Sequence, residues 1–323
     1  MDRRALFSLL ALPVLPRISR RAQAQSVWPT RPIRLVVPFP PGGSNDAIGR
    51  PLAEELGRAL GQPVIVDNKG GAGSTIGTGE VARAPADGYT LLSTSSTFAT
   101  SAAVQPTPYD AAKDLVMAAL VATSPLVVLS SPDFPANTMA EAIAHIRANP
   151  GKVDYGSAGI GSIGHMAGAL FAQKAGLDMQ HVPYRGTGPV MSDLLTDTIH
   201  LTFTTATATA GLLGTGKVKV LGWTSEERPP GGPNAPTPAE SGLPDYKAEI
   251  WWGLLGRRNL PRPILEKLNA AVNAVVQSGP LARSLAQEGA VARPSTLEQG
   301  EAFRAADLVR WKELATAAQI RAE

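Results

Sequence analysis

The sequence predicts an α/β fold that is large enough for two domains. Runs of β-branched and apolar residues alternate with helical runs almost throughout, and glycine-rich loops lie between them. This alternation is typical of a parallel sheet that binds ligands at the carboxyl ends of its strands. The chain has 323 residues, of which 44% are hydrophobic and 18% charged, so it can bury two full cores. Its 32 glycines and 28 prolines predict many turns and short elements.

The first part of the chain alternates three predicted strands with helices and loops. The pattern predicts strands at 33–37, 64–66 and 89–92, helices at 46–60 and 76–83, a glycine loop at 67–73 and a polar loop at 93–97. A long apolar run, Leu115–Leu129, follows and is broken at Ser124-Pro125. We therefore expect a first unit to end near Ser124.

A second set of elements begins after that break. The pattern predicts strands at 154–156, 181–184, 201–204 and 217–221, helices at 139–147, 163–174, 189–196, 263–277 and 297–318, and a surface connection rich in proline and glycine at 228–244. Both halves repeat the order strand, glycine loop, helix. They therefore look like two versions of one unit.

The amino terminus has the features of an export signal. Arg3-Arg4 precede an apolar stretch, Ala5–Leu12, and Ala22-Gln23-Ala24 matches a cleavage site, so residues 1–24 are predicted to be a signal peptide cleaved after about Ala24. The general and twin-arginine export routes both stay open. This segment holds five of the 30 basic residues and one of the 27 acidic ones, which leaves 25 basic and 26 acidic residues, a net charge of −1. Nucleic-acid binding therefore loses its main support, and the absence of cysteine excludes disulfides and cysteine nucleophiles.

The run from Val36 to Asp46 predicts a buried strand, a Pro/Gly loop and the start of a helix. Pro40-Pro41 end the strand, Gly42-Gly43 leave backbone N–H groups bare, and the polar residues 44–46 can cap the helix. A helix terminus behind a glycine loop can bind an anion, because its N–H groups point outward. From the residues alone, an anion site and a plain turn between strand and helix remain equally open.

A second glycine loop opens a helix at Gly156–His165. Ser157 and Ser162 offer hydroxyls there, and His165 is either a donor to a carboxylate or a packed histidine that holds the loop. One helix terminus contributes only about 0.3–1 kcal/mol toward an anion, whereas micromolar binding needs about 8 kcal/mol. Two loops that act together with several charge-assisted hydrogen bonds of about 1.5–3 kcal/mol each could reach that value. A carboxylate held between two domains fits this layout.

Other chemistries find less support. The glycines of Gly71–Gly77 miss the spacing of the dinucleotide-binding fingerprint by one residue. The Gly-x-Ser-x-Gly motif of many serine hydrolases is absent as well. Ser162 or Ser157 with His165 still leaves a secreted serine hydrolase as the alternative function. The histidines show no metal-binding spacing. Trp251-Trp252 could stack on a ligand, but such a pair more often closes a core. We expect no catalytic residues, no metal and no cofactor.

With these motifs in order, the chain resembles the Bug/TctC family of extracytoplasmic solute receptors, the binding components of tripartite tricarboxylate transport systems. The motifs that carry the resemblance are 31–43, 61–68, 71–73, 87–92, 156–159 with His165, 182–186, 236–242 and 252–254. They extend over the chain from about Trp28 to Trp311. Each is weak by itself, but the series is specific.

The resemblance implies a two-domain periplasmic binding protein, type II-like, that closes on its ligand like a flytrap about a hinge of two crossovers. Domain 1 would comprise residues 28–124 and 224–323, and domain 2 residues 125–223. The family's ligand loops fall on residues of both domains: Phe39, Pro41, Gly42, Gly43, Ser44, Asn45, Asp46, Thr94 and Ser95 in the first, and Ser157, Ala158, Gly161, Ser162, His165, Tyr184, Thr187 and Thr204 in the second.

One departure from the family pattern bears on the ligand. Many relatives carry an aspartate after the phenylalanine of the strand Leu201–Thr204, where it can help to bind an amino or hydroxyl group, and this chain has Thr204. Its loss favours a simple carboxylate or an aromatic acid over an amino acid. Lys69-Gly70 replaces a common Arg-Pro, without a function that we can assign.

The function predicted from the sequence is capture of a small carboxylate, a di- or tricarboxylate or an aromatic acid, in a cleft between two domains in the periplasm. The partners expected are the ligand and either the membrane components of a tripartite transporter or a sensor protein. We expect a monomer that binds no nucleic acid.

Overall fold

The computed structural model describes residues 28–206, 211–212, 215–229, 232–277 and 279–322. The predicted signal peptide, residues 1–24, lies outside the described residues. From the amino-terminal side, the elements are β1 (Ile33–Val37), α1 (Ser44–Leu60), β2 (Val64–Asn68), α2 (Thr75–Arg83), β3 (Thr90–Ser95), α3 (Thr97–Val104) and β4 (Leu115–Pro125).

The chain continues through a second group of elements and then a third. The second group is β5 (Val127–Ser130), α4 (Met139–Ala148), β6 (Asp154–Ser157), α5 (Ile163–Ala175), β7 (Gln180–Pro183), α6 (Thr187–Leu195), β8 (Leu201–Thr204) and β9 (Lys219–Trp223). The third is β10 (Glu249–Arg257), α7 (Arg262–Val275), α8 (Gly279–Gln287), β11 (Val291–Ala292) and α9 (Leu297–Ala317).

Within the described residues, the strands form two separate sheets. The first has the order β11-β4-β10-β3-β1-β2, and the second has the order β7-β6-β8-β5-β9. We call the first sheet with α1, α2, α3, α7, α8 and α9 the first lobe, and the second sheet with α4, α5 and α6 the second lobe. Strands β1–β4 with β10 and β11 thus belong to one sheet, and β5–β9 belong to the other. The domain limits themselves remain a prediction.

Both sheets are mixed, whereas the sequence pattern predicted a parallel sheet. β1 lies parallel between β2 and β3, and β6 lies parallel between β7 and β8. β10 runs antiparallel to β3 and β4, and β5 runs antiparallel to β8 and β9. The antiparallel strands are those next to the two crossings between the lobes. The parallel groups still place the carboxyl ends of their strands at one edge of each sheet.

The two crossings are hydrogen-bonded to each other. Leu126, which separates β4 from β5, donates its N–H to Thr224 Oγ1 at 2.8 Å, and Thr224 N–H donates back to Leu126 O at 3.0 Å. The Thr224 hydroxyl also lies 2.6 Å from the carbonyl oxygen of Ala248, at the start of the return to the first sheet. One buried threonine therefore ties together the segments that connect the lobes.

A continuous buried apolar cluster extends through both lobes, and a smaller one lies beneath α6. Trp251 and Trp252 on β10 are each 1% exposed, which confirms the interpretation of this pair as core. α1 packs an apolar stripe inward, formed by Ile48, Leu52 and Leu56 at helical spacing. This packing fixes the start of α1 above the carboxyl end of β1.

Candidate ligand-binding site

The loop from Phe39 to Asp46 connects β1 to α1 and leaves the helix start open. Gly43 is the N-cap residue, and no side chain in the described residues caps this helix. Gly43 O accepts the N–H groups of Asp46 and Ala47, both at 2.9 Å. Gly42 has a φ of +85°, which favours glycine, and Phe39, Pro41, Gly42 and Gly43 are at least partly exposed. The N–H groups of Ser44 and Asn45, which precede the two bonded to Gly43 O, are therefore available to an external anion.

Asp46 holds this loop together and does not point a free carboxylate into a cleft. Its oxygens accept hydrogen bonds from Gly42 N–H (3.0 Å), Arg50 Nε (2.8 Å) and Asn68 Nδ2 (2.9 Å). Burial raises the pKa of Asp46, but these donors outweigh burial, so the pKa lies below its usual value. Asp46 is ionised at neutral pH and serves the loop's own geometry.

Ser44 and Asn45 begin α1 and differ in their contacts. Ser44 Oγ donates to Glu288 Oε2 at 2.8 Å, a contact between residues that are 244 positions apart. The Oδ1 atom of Asn45 is buried and accepts no hydrogen bond from any described residue. The second residue of the helix therefore offers a polar atom without a partner.

Buried hydroxyls without partners lie at the carboxyl end of β3. Thr94, Ser95 and Ser96 are fully buried, and none of their hydroxyls is hydrogen-bonded to a described residue. Ser101 on α3 and Ser74 before α2 share both properties. Buried polar groups are normally paired, because an unpaired one costs about 1–3 kcal/mol. Groups of this kind mark a place where a ligand or water supplies the partner.

Several helices that start near these loops lack a side-chain cap. Over the described residues, α1, α2, α3 and α6 have no side-chain cap, although serine precedes α2 and α3. α7 lacks a side-chain cap as well, whereas the side chains of Thr138, Ser162 and Thr296 cap α4, α5 and α9. Uncapped helix starts carry partial positive charge and free N–H groups.

In the second lobe, the loop after β6 is folded by its own serines. Ser162 is the N-cap of α5, and its Oγ accepts from His165 N–H at 3.3 Å. Ser157 Oγ bonds Gly159 at both its O (3.1 Å) and its N–H (3.2 Å). Ala158 O accepts from Gly186 N–H at 3.3 Å, which joins this loop to the start of α6.

His165 is packed beneath this loop. Its Nδ1 accepts the Gly161 N–H at 3.1 Å, so the ring proton lies on Nε2. The ring stacks on His181 with centroids 3.7 Å apart, and His181 Nε2 is hydrogen-bonded to Ser157 Oγ at 2.6 Å. Of the two roles left open by the sequence, the geometry favours the packed histidine.

Both imidazoles are neutral at physiological pH. Burial lowers the pKa of His165 to about 4. Burial, reinforced by the neighbouring His165, lowers the pKa of His181 to about 3. The second-lobe loop therefore offers neutral donors and acceptors, and these histidines bring no fixed charge to it.

The remaining predicted residues surround the same loop. Tyr184 follows β7 and donates its hydroxyl to Asp193 Oδ2 at 2.6 Å, and partial burial together with this carboxylate raises its pKa to about 12. Thr187 is the first residue of α6, after Gly186 with a φ of +108°. Thr204 ends β8, is buried, and pairs with Val127 in the register of the second sheet.

The loops of the two lobes meet at Gly161. A Cβ built on this glycine would lie 2.7 Å from Val104 Cγ2 and 3.2 Å from Ser101 Cα, both on α3 of the first lobe. Strands β1 and β3 are neighbours, with Val36 opposite Leu92, so their loops share one edge. Gly161 of the second lobe thus lies against α3, the helix that follows Thr94, Ser95 and Ser96. The sequence also predicts that Ser96 lines the cleft with Thr94 and Ser95, whereas nothing in the sequence pattern indicated Ser74, Ser101 or Glu288.

These observations agree with what comparisons with known proteins found. A family model described as "Tripartite tricarboxylate transporter family receptor" matches residues 48–320. The chain belongs to this family. Members of the TctC family are solute-binding receptors for small carboxylates and not enzymes.

Individual relatives cover nearly the whole chain. Protein BugT of Bordetella pertussis is 35% identical over 287 residues, which is 88% of this chain and 88% of BugT. A protein of R. palustris solved with adipate has a TM-score of 0.82 and 31% identity, over 91% of this chain and 99% of that one. MatC of Rhodopseudomonas palustris with bound malate has a TM-score of 0.79 and 30% identity, over 89% and 99%. The predicted periplasmic binding fold is thereby confirmed.

Membership of the TctC family also decides against the alternative of a serine hydrolase. The geometry agrees, since Ser162 Oγ caps α5 and Ser157 is hydrogen-bonded to His181, not to His165. No cluster of three His, Asp or Glu side chains suited to a metal ion is found where the structure is described. The same residues contain no helix long and apolar enough to cross a membrane.

Proposed function

We propose that this TctC receptor binds a small carboxylate, such as a di- or tricarboxylate or an aromatic acid, between its two lobes. Its residues of contact are the predicted ones on the loops at 39–45, 94–95, 157–162 and 184–187 together with Thr204, while Asp46 and His165 hold the two glycine loops in place. The bound adipate and malate of two relatives support a dicarboxylate first among these classes. The receptor would release its ligand to the membrane components of a tripartite transporter, or present it to a sensor protein.

The observation that carries the proposal is the set of buried, unpartnered hydroxyls beside uncapped helix starts. Thr94 and Ser95 end β3 and Ser96 is the N-cap residue of α3, so their hydroxyls form a preformed set of donors at the start of that helix. A carboxylate can accept up to about four hydrogen bonds, and each charge-assisted one contributes about 1.5–3 kcal/mol. A carboxylate that accepts hydrogen bonds from these hydroxyls therefore accounts for both the affinity and the preference for an anion.

The proposed location is the periplasm, after removal of the predicted signal peptide, and the proposed state is a monomer. Export is supported by the extracytoplasmic character of the TctC family. Cleavage after about Ala24 can be checked by mass spectrometry of the mature protein. Light scattering checks the monomer.

A thermal-shift panel tests the proposal. Succinate, malate, adipate, citrate, benzoate and amino acids are each added at up to millimolar concentration. A ligand present at about 100 times its dissociation constant adds about 2.7 kcal/mol to stability, which raises the melting temperature by several degrees. Absence of any shift with every carboxylate, confirmed by calorimetry, would contradict the proposal.

Gly43→Val tests the first loop directly. A Cβ at Gly43 meets no described atom within 4 Å, and its φ of −84° suits any residue, so the fold should be unchanged. The valine side chain would occupy the mouth of the uncapped α1 start. We expect at least a tenfold loss of affinity for the ligand found in the panel, with a smaller loss for Gly43→Ala. Unchanged affinity in both variants would remove this loop from the site.

A further inference from the structure

A buried carboxylate lies directly against the start of α1. Glu288 follows α8, is 4% exposed, and accepts the hydroxyl proton of Ser44 at 2.8 Å. A serine hydroxyl has one proton to donate. Ser44 therefore cannot donate to a bound carboxylate while this contact is present.

Glu288 also lies at the hinge side of the cleft. Its carbonyl oxygen and that of Gly289 are each 3.1 Å from Ser124 Oγ, at the end of β4. A Cβ built on Gly289 would lie 3.4 Å from Ala206 Cβ, two residues beyond Thr204 in the second lobe. Glu288 therefore belongs to the place where α1, the first crossing and the end of β8 meet.

A carboxylate bound at the α1 start would lie beside this negative charge. Two anions at short range in a partly buried site repel each other, so a plain carboxylate is penalised there. A ligand that carries a hydroxyl or ammonium group near its carboxylate replaces this repulsion by a hydrogen bond to Glu288.

We propose that Glu288 is a specificity-determining residue that selects carboxylates bearing a hydrogen-bond donor, a hydroxyl or an ammonium, next to the carboxylate. This inference rests on the proposed function. It reverses the expectation drawn from Thr204: the acidic group absent from β8 is supplied by the first lobe. Selection would then depend on a residue far from the glycine loops in sequence.

Calorimetric titrations of matched ligands test the inference. Each series changes one substituent from hydrogen to hydroxyl to ammonium: succinate, malate and aspartate; glutarate, 2-hydroxyglutarate and glutamate; adipate, 2-hydroxyadipate and 2-aminoadipate; phenylacetate, mandelate and phenylglycine. In the natural protein, a substituted member should bind at least tenfold more tightly than its parent. A tighter hydroxyl member identifies a hydroxy acid, and a tighter ammonium member identifies an amino acid. A parent that binds as tightly as both of its derivatives overturns the inference without any variant.

Substitutions at Glu288 then separate charge from shape. Glu288→Gln keeps the size of the side chain and an acceptor for Ser44 but removes the charge. We expect it to reduce the affinity ratio of substituted to unsubstituted ligand at least tenfold, and the unsubstituted ligand should bind more tightly. Glu288→Asp keeps the charge and should retain the preference. Glu226→Gln, a charge change on an exposed side chain, is the control and should leave the ratio unchanged.

The outcomes distinguish the two levels of the argument. If no member of any series binds, the inference is overturned, and the proposed function fails with it only if no carboxylate of the thermal-shift panel binds either. If carboxylates bind but folded Glu288→Gln keeps the full preference, only the role of Glu288 is overturned. Circular dichroism of each variant verifies the fold.

Discussion

Single side chains fix the two ligand loops before any ligand arrives. Asp46 gathers three donors around the first loop, and His165 holds Gly161 of the second through its Nδ1. Both residues were predicted to line the site, and both instead act mainly on the loop's own backbone. Spacing in a sequence shows that a polar residue belongs to a loop, but not which way its side chain turns.

The stacked histidines predict a pH dependence of stability. Their pKa values of about 4 and 3 lie below the ordinary 6.5, so the unfolded chain takes up protons first as the pH falls. The contribution of these neutral imidazoles to the free energy of unfolding is complete above about pH 6.5. It decreases below that pH, by about 2 kcal/mol per histidine near pH 5. Burial raises the pKa of Asp307 to about 6. Protonation of this carboxylate in the folded state therefore adds about 1 kcal/mol to the free energy of unfolding as the pH falls over the same range.

Urea unfolding between about pH 7.5 and 5 measures this dependence. The free energy of unfolding should fall by about 3 kcal/mol in the natural protein. In a His165→Asn, His181→Gln double variant, which cannot be protonated at these positions, the fall should vanish and the free energy of unfolding should rise by about 1 kcal/mol, because Asp307 remains. Equal slopes for the two proteins would show that these imidazoles take up protons as readily in the folded state as in the unfolded chain.

At the scale of elements, the turn from β3 into α3 shows how the site differs from the rest of the fold. Ser95 and Ser96 are buried without a described partner, whereas Thr202 on β8 is equally buried and donates to Gly156 O at 2.9 Å. A hydroxyl kept unpaired weakens the empty protein, and the bound ligand compensates for it. Removal of these hydroxyls is therefore expected to weaken ligand binding and to stabilise the unliganded protein.

Alanine at Ser95 and Ser96 tests this opposition. The unliganded variant should be as stable as the natural protein or up to about 2 kcal/mol more stable, with at least a tenfold weaker affinity. Thr202→Val is the matched control and should lose about 1 kcal/mol or more, because it removes a paired hydroxyl and leaves Gly156 O without its donor. Lower stability in the double alanine variant would indicate that these hydroxyls are paired within the protein.

The elements also show what local patterns can predict. The bounds of β1 and β8 agree with the prediction, since both are short apolar runs between turn residues. The polar loop expected at 93–97 was wrong: Ser93–Ser95 belong to β3, and Thr97 starts α3, which was missed. Serine and threonine favour loops by propensity, and burial between neighbouring elements overrides that preference. β10 and α8 were missed as well.

At the scale of the whole molecule, the two lobes contact each other between the loop before α5 and the helix α3. Gly161 of the second lobe lies against Ser101 and Val104 of α3, with no room for a side chain. Leu126 and Thr224 belong to the two segments that connect the lobes and are hydrogen-bonded to each other. We expect the lobes to open about these crossings when the ligand leaves.

Gly161→Val tests whether this close approach accompanies binding. The new side chain would collide with α3, so the lobes should stay further apart, with a larger radius of gyration in X-ray scattering and at least a tenfold loss of affinity. Gly176→Val is the control, since Gly176 also has a positive φ, +61° against +75°, but a Cβ there meets nothing within 4 Å. Similar behaviour of the two variants would mean that backbone strain alone is responsible.

The two-lobe layout could be predicted from the sequence because a break at Ser124-Pro125 divides two similar series of strands and helices. The contact between Ser44 and Glu288 could not, since it joins residues 244 positions apart and depends on how α8 packs on α1. Long-range contacts of this kind have no local signal. They are also the contacts on which selectivity is proposed to depend.

Trp252 gives the receptor an optical probe of its own. It lies opposite Ser95 in the antiparallel register, so the two side chains share a face of the sheet. Its indole N–H is buried, and no described residue accepts from it. Indole emission shifts with the dipoles around the ring, and a carboxylate that arrives beside Ser95 changes those dipoles. The fraction of receptor that holds ligand can then be followed from the wavelength of tryptophan emission, without an attached dye.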